Sequence, residues 1–291
     1  MVKYQPLLKF TLLYLGRKRT QMKTIIFPTD FSKNADRAML YAVSAATALG
    51  ARIVAVNAFD LPYSQNVMST SLLDIMRETS EKGLKDVGKK LAKTGVEFET
   101  RSLMGNPIRV VKELTKFYKN CMVVLGTKGA SGIEEILIGS NAASILHSVS
   151  VPVLAIPADA AYKGVKKIVY ASDFQSRKDD VALERLGKFA CAFKAEVLIL
   201  HIQNSTEGQI VEPNRDKFAK HLCDNNFSFH IIKSAEKNTE QAILTFAKEK
   251  DADIVALLAR KHGFLEGLFH TSVSSKVAFH THRPFMALHE Q

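Results

Sequence analysis

The chain has 291 residues, enough for two domains, and apolar residues make up 46% of it, ordinary for a globular protein with a real core. Its formal net charge is +11, yet no basic cluster forms a nucleic-acid motif, so the charge reads as solvated surface and nucleic acid is not an expected partner. The three cysteines, Cys121, Cys191 and Cys223, show no metal-ligand spacing, so neither a disulfide framework nor a metal site is expected, and a reducing cytoplasm fits.

Residues 1–21 carry Lys3, Lys9, Arg17, Lys18 and Arg19 with no acid. Their apolar run from Pro6 to Leu15 is interrupted by Lys9 and is too short for a membrane span. No small-residue cleavage site follows it. An upstream extension or mis-assigned start is the expectation, with a short surface-binding helix as the alternative. A chain beginning at Met22 is expected to keep its solubility and thermal stability.

From Met22, short apolar runs alternate with helical patterns. Thr24–Pro28 reads as a strand and 32–49 as a helix. Arg52–Phe59 is the next strand, and 70–94 the second helix. Val96–Leu103 follows as a strand and 107–119 as a helix, with Asn106 as N-cap and Pro107 at the first helical position. Cys121–Gly126 is a strand, 140–149 a helix, and Val151–Ile156 the closing strand. Strands rich in Val, Ile and Leu between helices predict an α/β fold with a doubly wound parallel sheet.

The pattern then repeats. Lys23-Thr-Ile-Ile-Phe-Pro-Thr-Asp-Phe31 matches Lys166-Lys-Ile-Val-Tyr-Ala-Ser-Asp-Phe174, with Asp30 and Asp173 143 positions apart. Later pairs, Asn106 with Asn238 and Pro152 with Pro284, are 132 apart, so the second copy is shorter, mostly near 212–226. Asn238 with Gln241 reads as a capping-box variant. The expected division is a leader at 1–21, one domain at 22–158 and a second at 165–291, joined around Ala158–Gly164. Unpaired edges invite pairing, so the two halves are expected to pack through Val151–Ile156 and Pro284–Leu288.

The chemistry concentrates in Gly126-Thr-Lys-Gly129 and, after nine intervening residues, Gly139-Ser140-Asn141. Gly126 ends a buried strand and Gly139-Ser140 opens a helix. Phosphates need backbone N–H groups at close approach and a helix N-terminus, and glycines permit both. With Pro28-Thr29-Asp30-Phe31 after the first strand, this Gly-x2-Gly-x9-Gly-Ser run resembles the ATP-binding signature of the universal stress protein family. The resemblance covers nearly all of 22–291, counting the repeat.

It implies two tandem Rossmann-like domains and an ATP site in the first. Pro28, Thr29, Asp30 and Ala58 would hold adenine and ribose, and Leu125 and Gly126 would flank the nucleotide. Lys128, Gly129, Gly139, Ser140 and Asn141 would meet the phosphates, with Mg²⁺ accompanying ATP. Lys128 stands where the family often has His or Arg. Asp30 has a plain structural alternative, a helix-capping role beside Ser32.

No Gly-x4-Gly-Lys-Ser/Thr loop and no Gly-x-Gly-x-x-Gly fingerprint after a strand is present. In the second copy the loop glycines map to Leu258, Lys261 and Thr271, and only the serine survives, as Ser272. One ATP per chain is therefore expected. His262, His270, His280 and His282 read as surface or core residues rather than metal ligands, and His201 as structural. The expected function is an ATP-binding cytoplasmic stress-response or regulatory module acting through conformation and a regulatory protein partner, with homo-oligomers as a further expectation. A slow ATPase is the enzyme-class rival. A nucleotide-free scaffold is the third reading.

Overall fold

A computed structural model describes residues 22–60, 70–127, 139–172, 180–204, 215–222, 226–234, 239–259, 273, 277 and 281–289. The first half runs β1 (Thr24–Pro28), α1 (Lys33–Leu49), β2 (Arg52–Phe59), α2 (Thr70–Ala92), β3 (Phe98–Met104), α3 (Pro107–Phe117), β4 (Cys121–Gly126), α4 (Ser140–Ser148) and β5 (Val153–Ile156). The second half repeats it as β6 (Lys167–Ala171), α5 (Asp180–Phe193), β7 (Glu196–Asn204), α6 (Arg215–His221), β8 (Phe227–Ser234), α7 (Thr239–Glu249), β9 (Ile254–Ala259) and β10 (Phe285–His289). Element order follows the sequence expectation, and helix ends fall one or two residues inside it. The leader 1–21 and the residues Asn238, His262, His270 and His280 lie outside the described residues.

Local chemistry explains the elements. Ser32 caps α1, its Oγ accepting from Ala35 N at 3.1 Å, and Gly50 ends it in the left-handed region at φ 61°. The buried face of α1 is mostly small, with Ala35, Ala38, Ala42, Ala45 and Ala46, which lets the helix lie close to the sheet. Asn106 Oδ1 accepts from Ile108 N and Arg109 N at 3.0 and 3.3 Å, and Pro107 fills the first turn of α3.

All ten strands form one sheet in the order β3-β2-β1-β4-β5-β10-β9-β6-β7-β8. Every neighbouring pair is parallel except β5 with β10, which run antiparallel with Phe285 opposite Ala155 and Ala287 opposite Val153. The expected meeting of the two last strands is thus a continuous hydrogen-bonded seam. Alternate strand residues feed two cores. One holds Ile25, Ile53, Met122, Leu154, Met286 and Ile168 beneath α1 and α5. The other holds Ile26, Val54, Val123, Val153, Phe285 and Val255 beneath α3, α4 and α7. Both cores cross the seam, so the halves share their apolar interior.

Cys191, on α5, is disulfide-bonded, a bridge that the cysteine spacing, which suggested no disulfide framework, did not announce; Cys121 is free and buried. Sequence spacing reports metal motifs but not which distant segments meet in space. His201 sits inside β7. Among the described residues no helix is long and apolar enough to cross a membrane.

Candidate functional site

The first half has its topological switch point between β1 and β4. From β1 the chain moves outward to β2 and β3, then returns to β4 and β5 on the other side. The connecting helices lie on opposite faces, so a crevice opens beyond the carboxyl ends of these strands. A cavity of about 190 Å³ occupies it.

The sheet brings together nine of the eleven residues singled out in the sequence. Pro28 ends β1 and Thr29 and Asp30 follow it, Ala58 is the penultimate residue of β2, Leu125 and Gly126 end β4, and Gly139, Ser140 and Asn141 open α4; all line the cavity. Lys128 and Gly129 lie outside the described residues. Val56, Val110 and Ala58 add apolar wall, and Asp30 is the one acid among the described lining residues.

The β1 end is held by a small polar network. Thr29 N donates to Val56 O at 2.9 Å, and Asn57 Nδ2 donates to Thr29 O at 2.7 Å. Thr29 Oγ1 accepts from Phe31 N, and Asp30 Oδ1 accepts from Ser32 N, each at 3.1 Å. This turn drives Phe31 to φ 63°, in the left-handed region that bulky residues seldom enter. Its ring seats over Gly83 of α2, where an added Cβ would lie 2.5 Å from ring atoms. Asp30 therefore supports the turn, while Ser32 is the cap of α1. The capping alternative for Asp30 is replaced by this turn-closing role, which leaves the carboxylate exposed at the cavity rim.

The β4 end differs from the sequence argument in one respect. Gly139 has φ −71° and ψ 155°, ordinary extended backbone, and Gly126 is not in the left-handed region either. Gly126 is required by space: a Cβ there would meet Asn34 Nδ2 at 2.6 Å and the Asn34 backbone carbon at 3.2 Å. Gly139 N donates to Thr127 O at 2.6 Å, which fastens the start of α4 to the end of β4. Gly139 caps α4 with no side-chain hydrogen bond of its own, and the first turn of α4 lines the crevice. An anion suits that end of the crevice.

Sequence reasoning missed Asn57 and Thr127. Asn57 is the polar residue interrupting the apolar run of β2, a signal that was legible. Thr127 lay inside the Gly-x2-Gly run, where only the glycines drew notice.

A model of the universal stress protein family matches residues 22–157 and, again, residues 164–289. The chain belongs to the universal stress protein family. A universal stress protein of Methanocaldococcus jannaschii is 30% identical over 138 residues, covering 46% of this chain and 81% of that protein. One from Thermus aquaticus is 27% identical over 135 residues, covering 46% of this chain and 98% of the relative. The crystal structure of a universal stress protein from Archaeoglobus fulgidus superimposes with a TM-score of 0.71 at 21% identity, covering 93% of this chain and 97% of the other. That likeness speaks for the fold of the full tandem.

The second universal stress domain keeps the frame and alters the site. Ser172 N donates to Leu200 O at 2.9 Å, as Thr29 does to Val56. His201 stands where Asn57 stands and ties its Nδ1 to Ser172 O at 3.0 Å. Leu258 takes the place of Gly126, half-buried and packed on the core. Asp173, Lys261, Thr271 and Ser272 lie outside the described residues. His282 pairs with Asp159 at 2.5 Å, across the junction of the domains.

Proposed function

We propose that this protein binds one ATP, with Mg²⁺, in its first domain, and serves as a stress-response module that signals nucleotide binding to a protein partner. The observation that carries the proposal is the convergence at one switch-point crevice of Pro28, Thr29, Asp30, Ala58, Gly126, Gly139 and Ser140. The residues present suit the ligand. Val56, Ala58 and Leu125 offer an apolar wall to a base, and Asp30 at the rim is placed for a ribose hydroxyl. The first turn of α4 and Thr127 offer donors to phosphate. Lys128 and Gly129 complete the phosphate loop in this reading. The second domain, with Leu258 in place of Gly126, is assigned a structural role.

The test is mass spectrometry of small molecules released by denaturing freshly purified protein. An adenine nucleotide, at up to one per chain, is the expected result. Protein free of nucleotide that also shows no thermal shift in millimolar MgATP would instead support a scaffold without a ligand.

A further inference from the structure

Thr127 is 2% exposed, and both of its backbone groups are committed to the fold. Its N–H donates to Ile156 O at 2.9 Å, and its carbonyl accepts from Gly139 N at 2.6 Å. The side-chain hydroxyl is different. Thr127 Oγ1 is buried and has no hydrogen-bond partner among the described residues. Buried hydroxyls in folded proteins are nearly always paired, because a buried one left unpaired loses the hydrogen bonds water gave it. Valine would fill the same space without that cost. A threonine here is explained by a partner that the described residues do not supply.

The position identifies the partner's chemistry. Thr127 lines the crevice between Gly126, at the end of β4, and Gly139, at the side-chain-free cap of α4. The apolar wall of Val56 and Ala58 belongs to β2, whereas Thr127 belongs to the end that suits an anion. A hydroxyl donor beside a helix N-terminus matches an acceptor-only oxygen such as that of a phosphate.

We propose that Thr127 is a ligand-binding residue whose hydroxyl donates a hydrogen bond to a phosphate oxygen of the bound nucleotide. This deepens the ATP reading above and rests on it. Thr127 then serves the bound state and weakens the empty one, which gives its removal two effects of opposite sign.

The experiment is calorimetric titration of MgATP into the full chain as wild type, T127S and T127V, with melting temperatures of each protein stripped of nucleotide. A hydrogen bond to a charged acceptor predicts about 10- to 100-fold weaker binding by T127V. T127S keeps the hydroxyl and should bind within about threefold of wild type by the same reasoning. Nucleotide-free T127V should melt at or above wild type. Equal ATP affinity in T127V and wild type overturns the proposal. So does a T127V chain that fails to fold or melts well below wild type, since the hydroxyl would then serve the fold. A crystal structure of the ATP complex should place Thr127 Oγ1 within about 3.2 Å of a phosphate oxygen; a hydroxyl turned to the ribose contradicts it. Wild-type protein that binds no ATP defeats the nucleotide reading itself, an outcome separable from loss confined to T127V.

Discussion

Gly126 and Asn34 meet so closely that a single methyl group separates two designs of the same fold. A Cβ at Gly126 would lie 2.6 Å from Asn34 Nδ2, which leaves no room for alanine, and Asn34 is itself buried. Gly126→Ala should therefore destabilise the protein by about 1–3 kcal/mol, read as a fall in melting temperature, and weaken nucleotide binding by displacing the start of α1. An unchanged melting temperature would show that this contact yields freely. His147, on α4, adds a pH dependence. Burial pushes its pKa down to about 4, and the neighbouring His289 acts in the same direction. The unfolded chain takes up this proton near pH 6.5, whereas the folded chain resists until about 4. The contribution of neutral His147 is thus fully present above pH 6.5 and is lost as pH falls from 6.5 to about 4. His147→Gln should flatten stability against pH in that window, measured by denaturant melts of both proteins; parallel profiles would contradict it. Much of the residue scale was legible in advance. That Pro28, Thr29, Gly126, Gly139 and Ser140 would meet at one crevice could be read because strand ends and a helix start are marked locally in the sequence. The reason for Gly126 could not, since the demand comes from Asn34, more than ninety positions away.

Among the elements, the approach of α5 to α6 is set by one glycine. A Cβ on Gly187 would lie 2.0 Å from the His221 carbonyl oxygen, which is backbone and cannot rotate aside. Gly187→Ala should separate these helices and cost about 1–3 kcal/mol or more in thermal unfolding. Retention of wild-type stability would mean that α6 shifts without loss. Strands and long helices were legible because their apolar periods and caps are local: Asn106 with Pro107, and the alanine face of α1, speak for themselves. The contact of α5 with α6 was not, because a glycine in a helix carries no record of what crosses it. The bridge made by Cys191 was hidden for the same reason.

At the scale of the whole molecule, the antiparallel pairing of β5 with β10 joins two parallel half-sheets into one. Further bonds span the junction: Arg185 Nη1 donates to Ser150 O at 2.8 Å, His289 Nε2 pairs with Leu146 O at 2.8 Å, and Tyr41 Oη donates to Ala161 O at 3.3 Å. A chain ending at residue 158 would leave the β5 edge open, so it should self-associate through that edge, as seen by sedimentation across a concentration series. A stable monomer at every concentration would show that the seam is dispensable. The repeat in the sequence announced the two halves, and the open edges of their last strands announced the seam; the shared cores across it became visible only with the strands in register. The proposed division of labour between the halves turns on nucleotide stoichiometry, and calorimetric titration of MgATP into wild type and Gly139→Val measures it most directly. One site per chain, lost in Gly139→Val while the fold persists, is the predicted result; two equivalent sites per chain, or undiminished binding by Gly139→Val, would contradict it.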